Sequence, residues 1–415
     1  MKHVIIGAGP AGVVAAETLR KHDAKASITL IGNENEPPYS RMALPYLMIE
    51  KISEQGTYLR QTQDHYDTLN IKYHQAHVRS IDSGTRTISL DGGNSLDYDR
   101  LLLATGSHPI KPPIKGLELP GVHTCWTLED SRQIDRLATS GAHVVLMGAG
   151  FIGSIVLEAL VTKGVSLTVV EMEDRMVPRM MDEVAGNMLK SWCVAKGVNV
   201  LTSTKITEIS KVDGGLEVSL DEGSIPVAQL VVVAAGVRSN TDFLDGSGID
   251  IKQGILVDDQ MQTNVADIYA AGDVAQAKDF STGGADVLAI QPVAVEHGRI
   301  AAMNMSGLHT PHRGSLSMNV LDTLGLVSSS FGLWMGKKGS ETARMVDDAN
   351  YRYLRLEFQD DRLIGAQSVG LSEHIGMLRG LIQSKTPLGK WKQTLMTSPT
   401  RISEAYVATL HRNAS

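Results

Sequence analysis

The chain has 415 residues, more than one hydrophobic core usually serves, so two or three domains are expected. Its 42% hydrophobic and 20% charged residues are typical of a soluble globular protein, and the formal net charge of −7 gives no indication of nucleic-acid binding. Cys125 and Cys193 lie far apart, which excludes a CxxC pair, a cysteine-bound metal or cluster and a disulfide framework, and which fits a reducing cytoplasm. Glycines and Glu158 interrupt the longest apolar stretch, so no membrane span is expected.

The chain begins with a strand, a glycine-rich turn and a helix. Val4–Ile6 is a short apolar run, and the turn GAGPAG follows it at residues 7–12. The first glycine permits a tight turn, the second lets the backbone approach a pyrophosphate, and the third lets the helix pack against the strand. Free N–H groups at the helix N-terminus then face the phosphates. The pattern predicts a dinucleotide site, with a glycine-rich turn that binds nothing as the alternative. Its residues are Gly7, Gly9, Pro10, Ala11 and Gly12.

A second strand follows at Ser27–Ile31 and leads to Glu34. In a dinucleotide fold the end of this strand carries an acid that binds the ribose hydroxyls. We therefore assign Glu34 to the ribose, with a solvated loop acid as the alternative.

The same motif recurs at residues 143–160. An apolar strand, His143–Met147, is followed by GAGFIG and an apolar helix. The next strand ends at Glu171, 23 residues after Gly148 and close to the expected spacing of roughly 20. A carboxylate there repels a 2′-phosphate, so NADH is favoured over NADPH, although Arg175 is either a phosphate ligand or a loop charge. The predicted NAD site consists of Gly148, Gly150, Phe151, Ile152, Gly153, Glu171 and Gly236. Two dinucleotide sites in one chain most simply transfer hydride between a nicotinamide and a flavin.

A family resemblance begins at residues 36–47, EPPYSRMALPYL. Together with the GxGPAG start, this segment resembles the pyridine-nucleotide flavoprotein oxidoreductases, in the branch of NADH oxidases, coenzyme A disulfide reductases, nitrite reductase flavin domains and rubredoxin or ferredoxin reductases. In the thiol-using members a cysteine stands where Met42 stands. Methionine forms no thiolate and no mixed disulfide, so the resemblance implies the flavin site without the thiol chemistry. Pro45-Tyr46 also replaces the Ser-Lys pair of the ferredoxin reductases. The resemblance places Arg41 along the flavin nucleotide, with a surface arginine as the alternative.

Two later motifs carry the same resemblance. Residues 98–107 contain D-x-L-x-x-A-T-G-S, and residues 263–273 match T-x-x-x-x-I-Y-A-A-G-D. In the family, the Gly and Asp of the second motif bind the ribityl or phosphate region of the flavin; a helix-capping Asp is the alternative. The helix from Gln291 begins by the flavin's pyrimidine edge in the family, and we interpret His297 on it as a packing residue rather than a proton donor. The resemblance thus assigns to FAD the residues Val78, Thr105, Gly106, Gly272, Asp273 and Ala294.

The chain departs from the family near the nicotinamide. Family members often read G-x-I-G-x-E in the second motif, with the glutamate near the nicotinamide, and Ile155 stands at that position here. Glu158 lies almost one helical turn further and should not replace it. The nicotinamide amide must therefore be held in another way.

From Gly314 onward the pattern changes. Residues 318–321, 328–332, 351–358 and 363–366 read as strands of an antiparallel sheet, and helices are predicted at 374–382 and 403–410. The resemblance implies a C-terminal interface domain that makes a dimer or docks a partner. Trp334, Met335 and Trp391 are candidate contact residues, with core packing as the alternative.

The predicted fold is α/β. It contains two Rossmann-like dinucleotide-binding domains, of which the FAD domain is split by the NAD domain, and a C-terminal α+β interface domain. The predicted boundaries are 1–113 and 241–312 for the FAD-binding domain, 114–240 for the NAD-binding domain and 313–415 for the interface domain.

The resemblance implies an FAD-dependent NAD(H) oxidoreductase. Its second partner is then a separate iron–sulfur protein of ferredoxin or rubredoxin type, in a homodimer or a hetero-oligomeric complex. The chain also looks similar to the flavoprotein subunits of phenylglyoxylate dehydrogenase-type complexes, which suggests an NAD-reducing subunit of a 2-oxoacid dehydrogenase. The alternatives are a stand-alone NADH oxidase or coenzyme-A-disulfide-reductase-like enzyme without the usual cysteine, and a non-catalytic docking subunit. No metal, nucleic acid or membrane partner is expected, and the predicted location is cytoplasmic.

Overall fold

The computed structural model describes residues 1–413. This part of the chain forms two compact units. The first unit consists of Met1–Pro109 and Val237–Ser315, and the second of Ile110–Gly236 and the residues from 316 onward. The segment that contains the first glycine-rich turn and the segment 237–315 thus fold together. The division into four predicted domain segments stays a prediction, because compactness alone does not show which parts fold independently.

Helices and strands are numbered in chain order. Residues 1–109 form β1 (Lys2–Ile6), α1 (Pro10–His22), β2 (Ser27–Gly32), α2 (Leu44–Met48), α3 (His65–Thr68), β3 (Ile71–Gln75), β4 (Val78–Asp82), β5 (Thr87–Leu90), β6 (Ser95–Asp97), β7 (Arg100–Leu103) and β8 (Ser107–Pro109). Residues 110–236 form β9 (Val122–Thr124), α4 (Leu128–Leu137), β10 (His143–Met147), α5 (Phe151–Thr162), β11 (Ser166–Val170), α6 (Glu183–Ala195), β12 (Asn199–Leu201), β13 (Ile206–Val212), β14 (Gly215–Leu220), β15 (Ser224–Ala228) and β16 (Leu230–Val233).

The remaining elements complete the two units. Residues 237–315 form β17 (Val237–Ser239), β18 (Ile255–Leu256), β19 (Ile268–Ala270), β20 (Ala275–Lys278), β21 (Ala285–Asp286) and α7 (Gln291–Met305). The residues from 316 onward form β22 (Met318–Thr323), β23 (Leu326–Gly332), β24 (Glu341–Asp347), β25 (Arg352–Gln359), β26 (Arg362–Val369), α8 (Ile375–Ser384), α9 (Lys390–Thr397) and α10 (Ile402–Asn413).

The first unit is built on a parallel sheet in the order β19-β7-β1-β2-β3. The apolar runs of β1 and β7 are buried, as expected for strands that are covered on both faces. Helices α1 and α7 pack closely, since a Cβ atom at Gly298 would lie 2.2 Å from the carbonyl oxygen of Ala11. This unit also contains the antiparallel pairings β4-β5-β6 and β8-β17 and a small mixed sheet, β18-β20-β21. The carboxyl ends of the parallel strands meet at one edge, where ligands bind in such sheets.

The second unit contains a parallel sheet and an antiparallel sheet. The parallel sheet has the order β12-β11-β10-β16-β9 and carries the small meander β13-β14-β15. The C-terminal strands form an antiparallel sheet in the order β22-β23-β26-β25-β24. The sequence analysis missed β24, an edge strand with polar and exposed residues, and it missed α9, in which only Leu395 is buried. The alternation in β24 is interrupted by polar and exposed residues, and α9 spans only 8 residues, so neither segment gives a strong pattern.

The α/β fold class agrees with the prediction: each glycine-rich turn follows the central strand of its own parallel sheet. Within the described residues, no helix is both long and apolar enough to cross a membrane.

Candidate active site

The first glycine-rich turn has three glycines with different steric demands. Gly7 has a φ of +111°, and a Cβ atom there would lie 2.0 Å from the carbonyl oxygen of Ala104. A Cβ atom at Gly12 would lie 1.9 Å from the carbonyl oxygen of Gly7. At Gly9, in contrast, no described atom lies within 4 Å of a Cβ position. Two glycines are thus required for packing, and the middle one borders open space.

The N-terminus of α1 fits a pyrophosphate next to this open space. Gly9 is the N-cap residue, Pro10 follows it, and no side chain among the described residues caps the first turn. The first turn also contains no acidic residue, so the partial positive charge of the helix end is not neutralised locally. Backbone N–H groups in this setting bind phosphate oxygens.

Three predicted FAD residues from distant parts of the chain meet beside α1. Gly272 has a φ of +76°, and a Cβ atom there would lie 3.2 Å from the Cβ atom of Ala11 and 3.3 Å from that of Ala294. The structure therefore brings together the first turn, the Gly-Asp motif and the start of α7. The residues of these three segments that we predict to bind FAD therefore lie next to one another.

Asp273 lies beside the paired strands β8 and β17. Ser107 Oγ donates a hydrogen bond to its Oδ2 atom at 3.1 Å, and Ser239 Oγ donates to its backbone carbonyl at 2.9 Å. Burial raises the pKa of Asp273 above its usual range, against the effect of the Ser107 hydrogen bond. The carboxyl is thus held in a half-buried, polar setting that suits a bond to a ligand hydroxyl.

Asn240 is a site residue that the sequence analysis missed. Its Nδ2 donates to the carbonyl of Thr105 at 2.7 Å, and Thr105 Oγ1 donates to the carbonyl of Asn240 at 2.9 Å. Asn240 also donates its backbone N–H to the carbonyl of Gly106, whose φ is +67°. These bonds fix the turn at Thr105–Gly106. No local motif marks Asn240, because its partners lie 135 residues away.

Glu34 and Arg41 bind each other. Arg41 Nη2 donates to Glu34 Oε1 at 2.7 Å, and Tyr39, whose hydroxyl donates to Glu34 Oε2 at 2.5 Å, completes the group. The side chains of Glu34 and Arg41 are 28% and 36% exposed, so solvent or a ligand reaches both. Glu34, which we assign to a ribose, and Arg41, which the resemblance places along the flavin nucleotide, thus lie side by side. The contribution of Tyr39 was not predicted.

Met42, at the position of the missing thiol, and Val78, a predicted FAD residue, have contrasting environments. Met42 lies in the 3₁₀ turn Arg41–Ala43 and is 44% exposed. Val78 is the first residue of β4 and is buried in the core of the first unit. The assignment of Val78 to FAD stays a prediction.

The second glycine-rich turn repeats the geometry of the first. Gly148 has a φ of +99°, and its Cβ position would lie 2.5 Å from the carbonyl oxygen of Ala234. At Gly153 a Cβ atom would lie 2.1 Å from the carbonyl oxygen of Gly148, whereas no described atom lies within 4 Å of the Cβ position at Gly150. Phe151 and Ile152 are half-buried in the first turn of α5. Gly236, three residues after β16, has a φ of +101°.

Glu171 is bound to the second turn itself. Its buried carboxylate accepts the backbone N–H of Ala149 at 2.6 Å and that of Glu173 at 2.9 Å. Arg175 is occupied elsewhere, because its Nε donates to the carbonyl of Met181 at 3.0 Å and its Nη1 to Asp174 at 2.6 Å. This arrangement favours a ribose with free hydroxyls over a 2′-phosphate.

Ile155 lies half-buried on α5, two residues after Gly153. The apolar side chain stands where many family members have a glutamate, and Glu158 follows one turn later on the same helix. Ser154, between Gly153 and Ile155, is buried and donates to the carbonyl of Ala149 at 3.3 Å, so its hydroxyl supports the glycine-rich turn.

His297 is buried on α7 and packs edge-to-face against His312, with ring centroids 4.8 Å apart. Its Nε2 lies 3.2 Å from Ser315 Oγ. Burial lowers the pKa of His297 to about 3, so the ring is neutral near pH 7. This favours the packing role over that of a proton donor.

Neither cysteine of the chain is a nucleophile at neutral pH. Cys125 and Cys193 are buried, and burial raises the pKa of each thiol to about 12. Among the described residues, no group of three or more His, Cys, Asp or Glu side chains is placed to hold a metal ion.

The sequence and the structure both have known relatives. Residues 1–298 match the family model of the pyridine nucleotide-disulphide oxidoreductases. The chain is 31% identical over 405 residues to the NADH-dependent phenylglyoxylate dehydrogenase subunit epsilon of Aromatoleum evansii, across 97% of this chain and 96% of that relative. It is 29% identical over 385 residues to the rubredoxin-NAD(+) reductase of Pseudomonas putida, across 92% of this chain and 99% of the relative. The solved structure of an NAD-dependent persulfide reductase from A. fulgidus superposes with a TM-score of 0.87 at 30% identity, across 94% of this chain and 78% of the other.

These matches confirm the predicted family, fold class and cofactors. The two glycine-rich turns fit the two nucleotides, since each leaves open space at its middle glycine in front of a helix N-terminus. When bound, the two cofactors supply the hydride chemistry, and the protein supplies orientation and electrostatics. The chain belongs to the pyridine nucleotide-disulphide oxidoreductase family and is an FAD-dependent NAD(H) oxidoreductase.

Proposed function

We propose that this oxidoreductase moves electrons between NAD(H) and a separate iron–sulfur protein of ferredoxin or rubredoxin type. The observation that carries the proposal is Met42, a methionine where the family resemblance places the cysteine of the thiol-using members. The residue lies in the 3₁₀ turn Arg41–Ala43 and is 44% exposed. A thioether forms no mixed disulfide and no sulfenic acid. Burial raises the pKa of both cysteine thiols to about 12, which disfavours a thiolate at either position. Without a reactive thiol in the chain to accept them, the electrons from NADH then pass from the flavin to an external acceptor.

The named relatives support this proposal. One is a subunit of an NADH-dependent phenylglyoxylate dehydrogenase and another is a rubredoxin reductase, and the chain spans nearly the whole length of both. We therefore propose, more narrowly, a subunit that exchanges electrons with NAD(H) in a 2-oxoacid dehydrogenase complex. The two buried, unpaired cysteines are compatible with a cytoplasmic location for such a complex.

An exposed loop of the C-terminal sheet suits a docking partner. Met335 is 55% exposed, and the exposed Lys337 and Lys338 follow it. An apolar side chain beside two cations is complementary to an acidic iron–sulfur protein. Trp334 precedes them and is half-buried, whereas Trp391 lies under the guanidinium of Arg401 at 5.5 Å. We propose that residues 334–338 dock the partner, in a homodimer or a hetero-oligomer.

The residue roles follow from the same proposal. The first turn, Glu34, Arg41, Thr105, Gly106, Gly272, Asp273 and Ala294 hold FAD, and the second turn with Glu171 and Gly236 holds NAD(H). Because Glu171 is a buried carboxylate and Arg175 is bound to Met181 and Asp174, we propose NADH as the preferred nucleotide.

The test is NADH oxidation by the purified, FAD-loaded chain with five acceptors side by side: oxygen, coenzyme A disulfide, a one-electron dye, a rubredoxin and a [2Fe–2S] ferredoxin. We expect turnover with the dye and with an iron–sulfur protein to exceed turnover with oxygen or disulfide by at least about tenfold. Fast oxygen or disulfide turnover would instead identify a self-contained oxidase or disulfide reductase. If NADH does not bleach the bound flavin at all, the chain is a docking subunit.

The substitution Met42→Cys separates the first two outcomes further. If the thiol alone is missing, this variant gains disulfide or oxygen turnover. If the surrounding site is built for an external acceptor, the variant keeps the dye and iron–sulfur activity of the parent chain.

A further inference from the structure

The segment Glu171–Asp182 joins β11 to α6 and lies against the second glycine-rich turn. Ala149 of that turn donates its N–H to Glu171, and its carbonyl accepts the N–H of Val177 at 2.9 Å. Both backbone groups of Ala149, its N–H and its carbonyl, are thus hydrogen-bonded to this segment. The position of the segment therefore determines the position of the turn and of the Glu171 carboxylate.

Val177 has an unfavourable backbone conformation. Its φ is +46°, a left-handed value that β-branched residues rarely adopt, and its side chain is buried. Such a conformation persists only where the surrounding contacts determine it. Met180 and Met181 both donate their N–H groups to the carbonyl of Val177, which closes the segment just before Asp182.

Asp182 is anchored by three side chains of the C-terminal sheet. Its backbone N–H donates to Gln367 Oε1 at 3.0 Å, and its Oδ2 accepts hydrogen bonds from Tyr353 Oη at 2.6 Å and from Arg355 Nη1 at 3.1 Å. Its other carboxylate oxygen accepts the N–H of Ala185 at 3.1 Å, as the N-cap of α6. All these groups belong to the second unit and are buried. The C-terminal end of the segment Glu171–Asp182 is thus held by side chains of the C-terminal sheet as well as by α6.

Arg355 is the centre of this anchor. Its Nε donates to the buried Glu357 at 2.7 Å, and its Nη2 donates to the carbonyl of Met335 at 3.1 Å. Burial by itself would lower the pKa of Arg355, but the hydrogen bonds to Glu357 and Asp182 outweigh it and raise the pKa. Ser340 and Thr342 bind the same Glu357 carboxylate at 3.0 and 2.8 Å. A buried network with its partners satisfied specifies one geometry more than it adds stability.

We propose that Arg355 is a positioning residue for NAD(H) binding. Through Asp182 it fixes the segment that holds Glu171 and Val177 against the second glycine-rich turn, and Tyr353 and Gln367 assist it. The C-terminal sheet thereby contributes to the affinity for the nicotinamide nucleotide. This inference rests on the proposed assignment of the second turn to NAD(H). It concerns binding, so the rate at saturating NADH is unaffected.

The test compares four variants of the full-length, FAD-loaded protein. Arg355→Met removes the charge and keeps the apolar stem, and Arg355→Lys keeps the charge. Arg344→Met is the matched control, because Arg344 is exposed and lies opposite Arg355 in the β24–β25 pair. Tyr353→Phe removes a single hydroxyl from the anchor. Kinetics with the one-electron dye give KM for NADH and kcat, and calorimetry with NAD⁺ gives Kd.

We expect Arg355→Met to raise KM for NADH and Kd for NAD⁺ about tenfold, with kcat and flavin content within about twofold of the parent chain. Arg355→Lys restores most of the affinity, Arg344→Met changes nothing, and Tyr353→Phe raises KM about threefold. The proposal is wrong if a flavin-loaded Arg355→Met variant keeps both KM and Kd, or if kcat falls while they stay constant. If Arg355→Met does not fold, an unchanged KM in Tyr353→Phe has the same consequence.

The outcome is separable from that of the proposed function. The calorimetric Kd for NAD⁺ requires neither electron transfer nor an iron–sulfur partner. A parent chain that binds NAD⁺ but transfers no electrons would refute the proposed function and leave the positioning role of Arg355 open to the same measurement.

Discussion

The two glycine-rich turns, one in each unit, share their backbone geometry. They differ in the burial and the hydrogen-bond partners of the acidic residue that follows each turn. Gly7 and Gly148 have φ values of +111° and +99°, and in each turn the third glycine faces the carbonyl of the first at about the same distance. The middle glycines, Gly9 and Gly150, both border open space. The steric demands are therefore the same in both units.

The acids at the ends of the second strands differ. Glu171 is buried and is held by backbone N–H groups, one of them from its own glycine-rich turn. Glu34 is partly exposed and is held by the side chains of Tyr39 and Arg41. The first carboxylate is thus bonded to backbone groups, and the second to side chains that solvent reaches. The two units therefore combine the same turn geometry with different surroundings of the acid.

The largest expected effect breaks the shared backbone geometry. A Gly7→Ala substitution places a Cβ atom against the Ala104 carbonyl at a positive φ, and we expect it to lower the free energy of unfolding by about 3 kcal/mol or more. Gly9→Ala is the matched control, because Gly9 has a φ of −79° and open space around its Cβ position. Its stability should change by less than about 1 kcal/mol. Urea unfolding measures both variants, and equal losses would show that the turn does not impose this constraint.

A smaller effect sharpens the difference between the two acids. In Glu171→Gln, an NH₂ group replaces one of the two carboxylate oxygens, and a donor then faces a backbone N–H. We therefore expect KM for NADH to rise about tenfold. In Glu34→Gln the partly exposed pair with Arg41 is lost, and the affinity for FAD should fall by less than about threefold. Dye-coupled kinetics and flavin titration of the apoprotein measure the two changes. A larger effect at Glu34 would reverse the comparison.

A third effect concerns the pH dependence of the stability of the first unit. His297, in the first unit, has a pKa of about 3 because it is buried, below the ordinary value of 6.5. Between these two values the unfolded chain binds a proton that the folded chain does not. Stability is therefore fully present above pH 6.5 and falls with decreasing pH, by at most about 1.4 kcal/mol per pH unit for this residue.

Flavin release during urea unfolding at pH 7.5, 6 and 5 reports on the first unit. We expect His297→Gln to flatten the pH dependence, since glutamine does not titrate in this range. The mutation also alters the contact with Ser315, so the comparison uses the slope with pH and not the stability at one pH. An unchanged slope would assign the acid sensitivity to other groups.

The predictable parts of this protein share one property, which is locality. Each unit of strand, glycine-rich turn and helix is one continuous stretch, residues 2–22 in the first case and 143–162 in the second. The short distances from the Cβ positions of Gly7 and Gly148 to neighbouring carbonyl oxygens agree with the roles predicted for these glycines. The Gly272–Asp273 motif was found in the same way. In contrast, β24 and α9 were missed, because β24 is an edge strand with polar, exposed residues and α9 spans only 8 residues.

The sequence by itself determined the family, the two nucleotide folds and the absence of a thiol at Met42, because backbone sterics and side-chain chemistry are properties of short segments. Only the tertiary structure decided which side chains surround each site. Asn240 meets Thr105 across 135 residues, and Arg355 meets Asp182 across 173. Such contacts depend on how separate elements pack, and no local pattern records them. The hydrogen bonds between Asp182 and the C-terminal sheet are therefore a property of the folded second unit that the sequence does not predict.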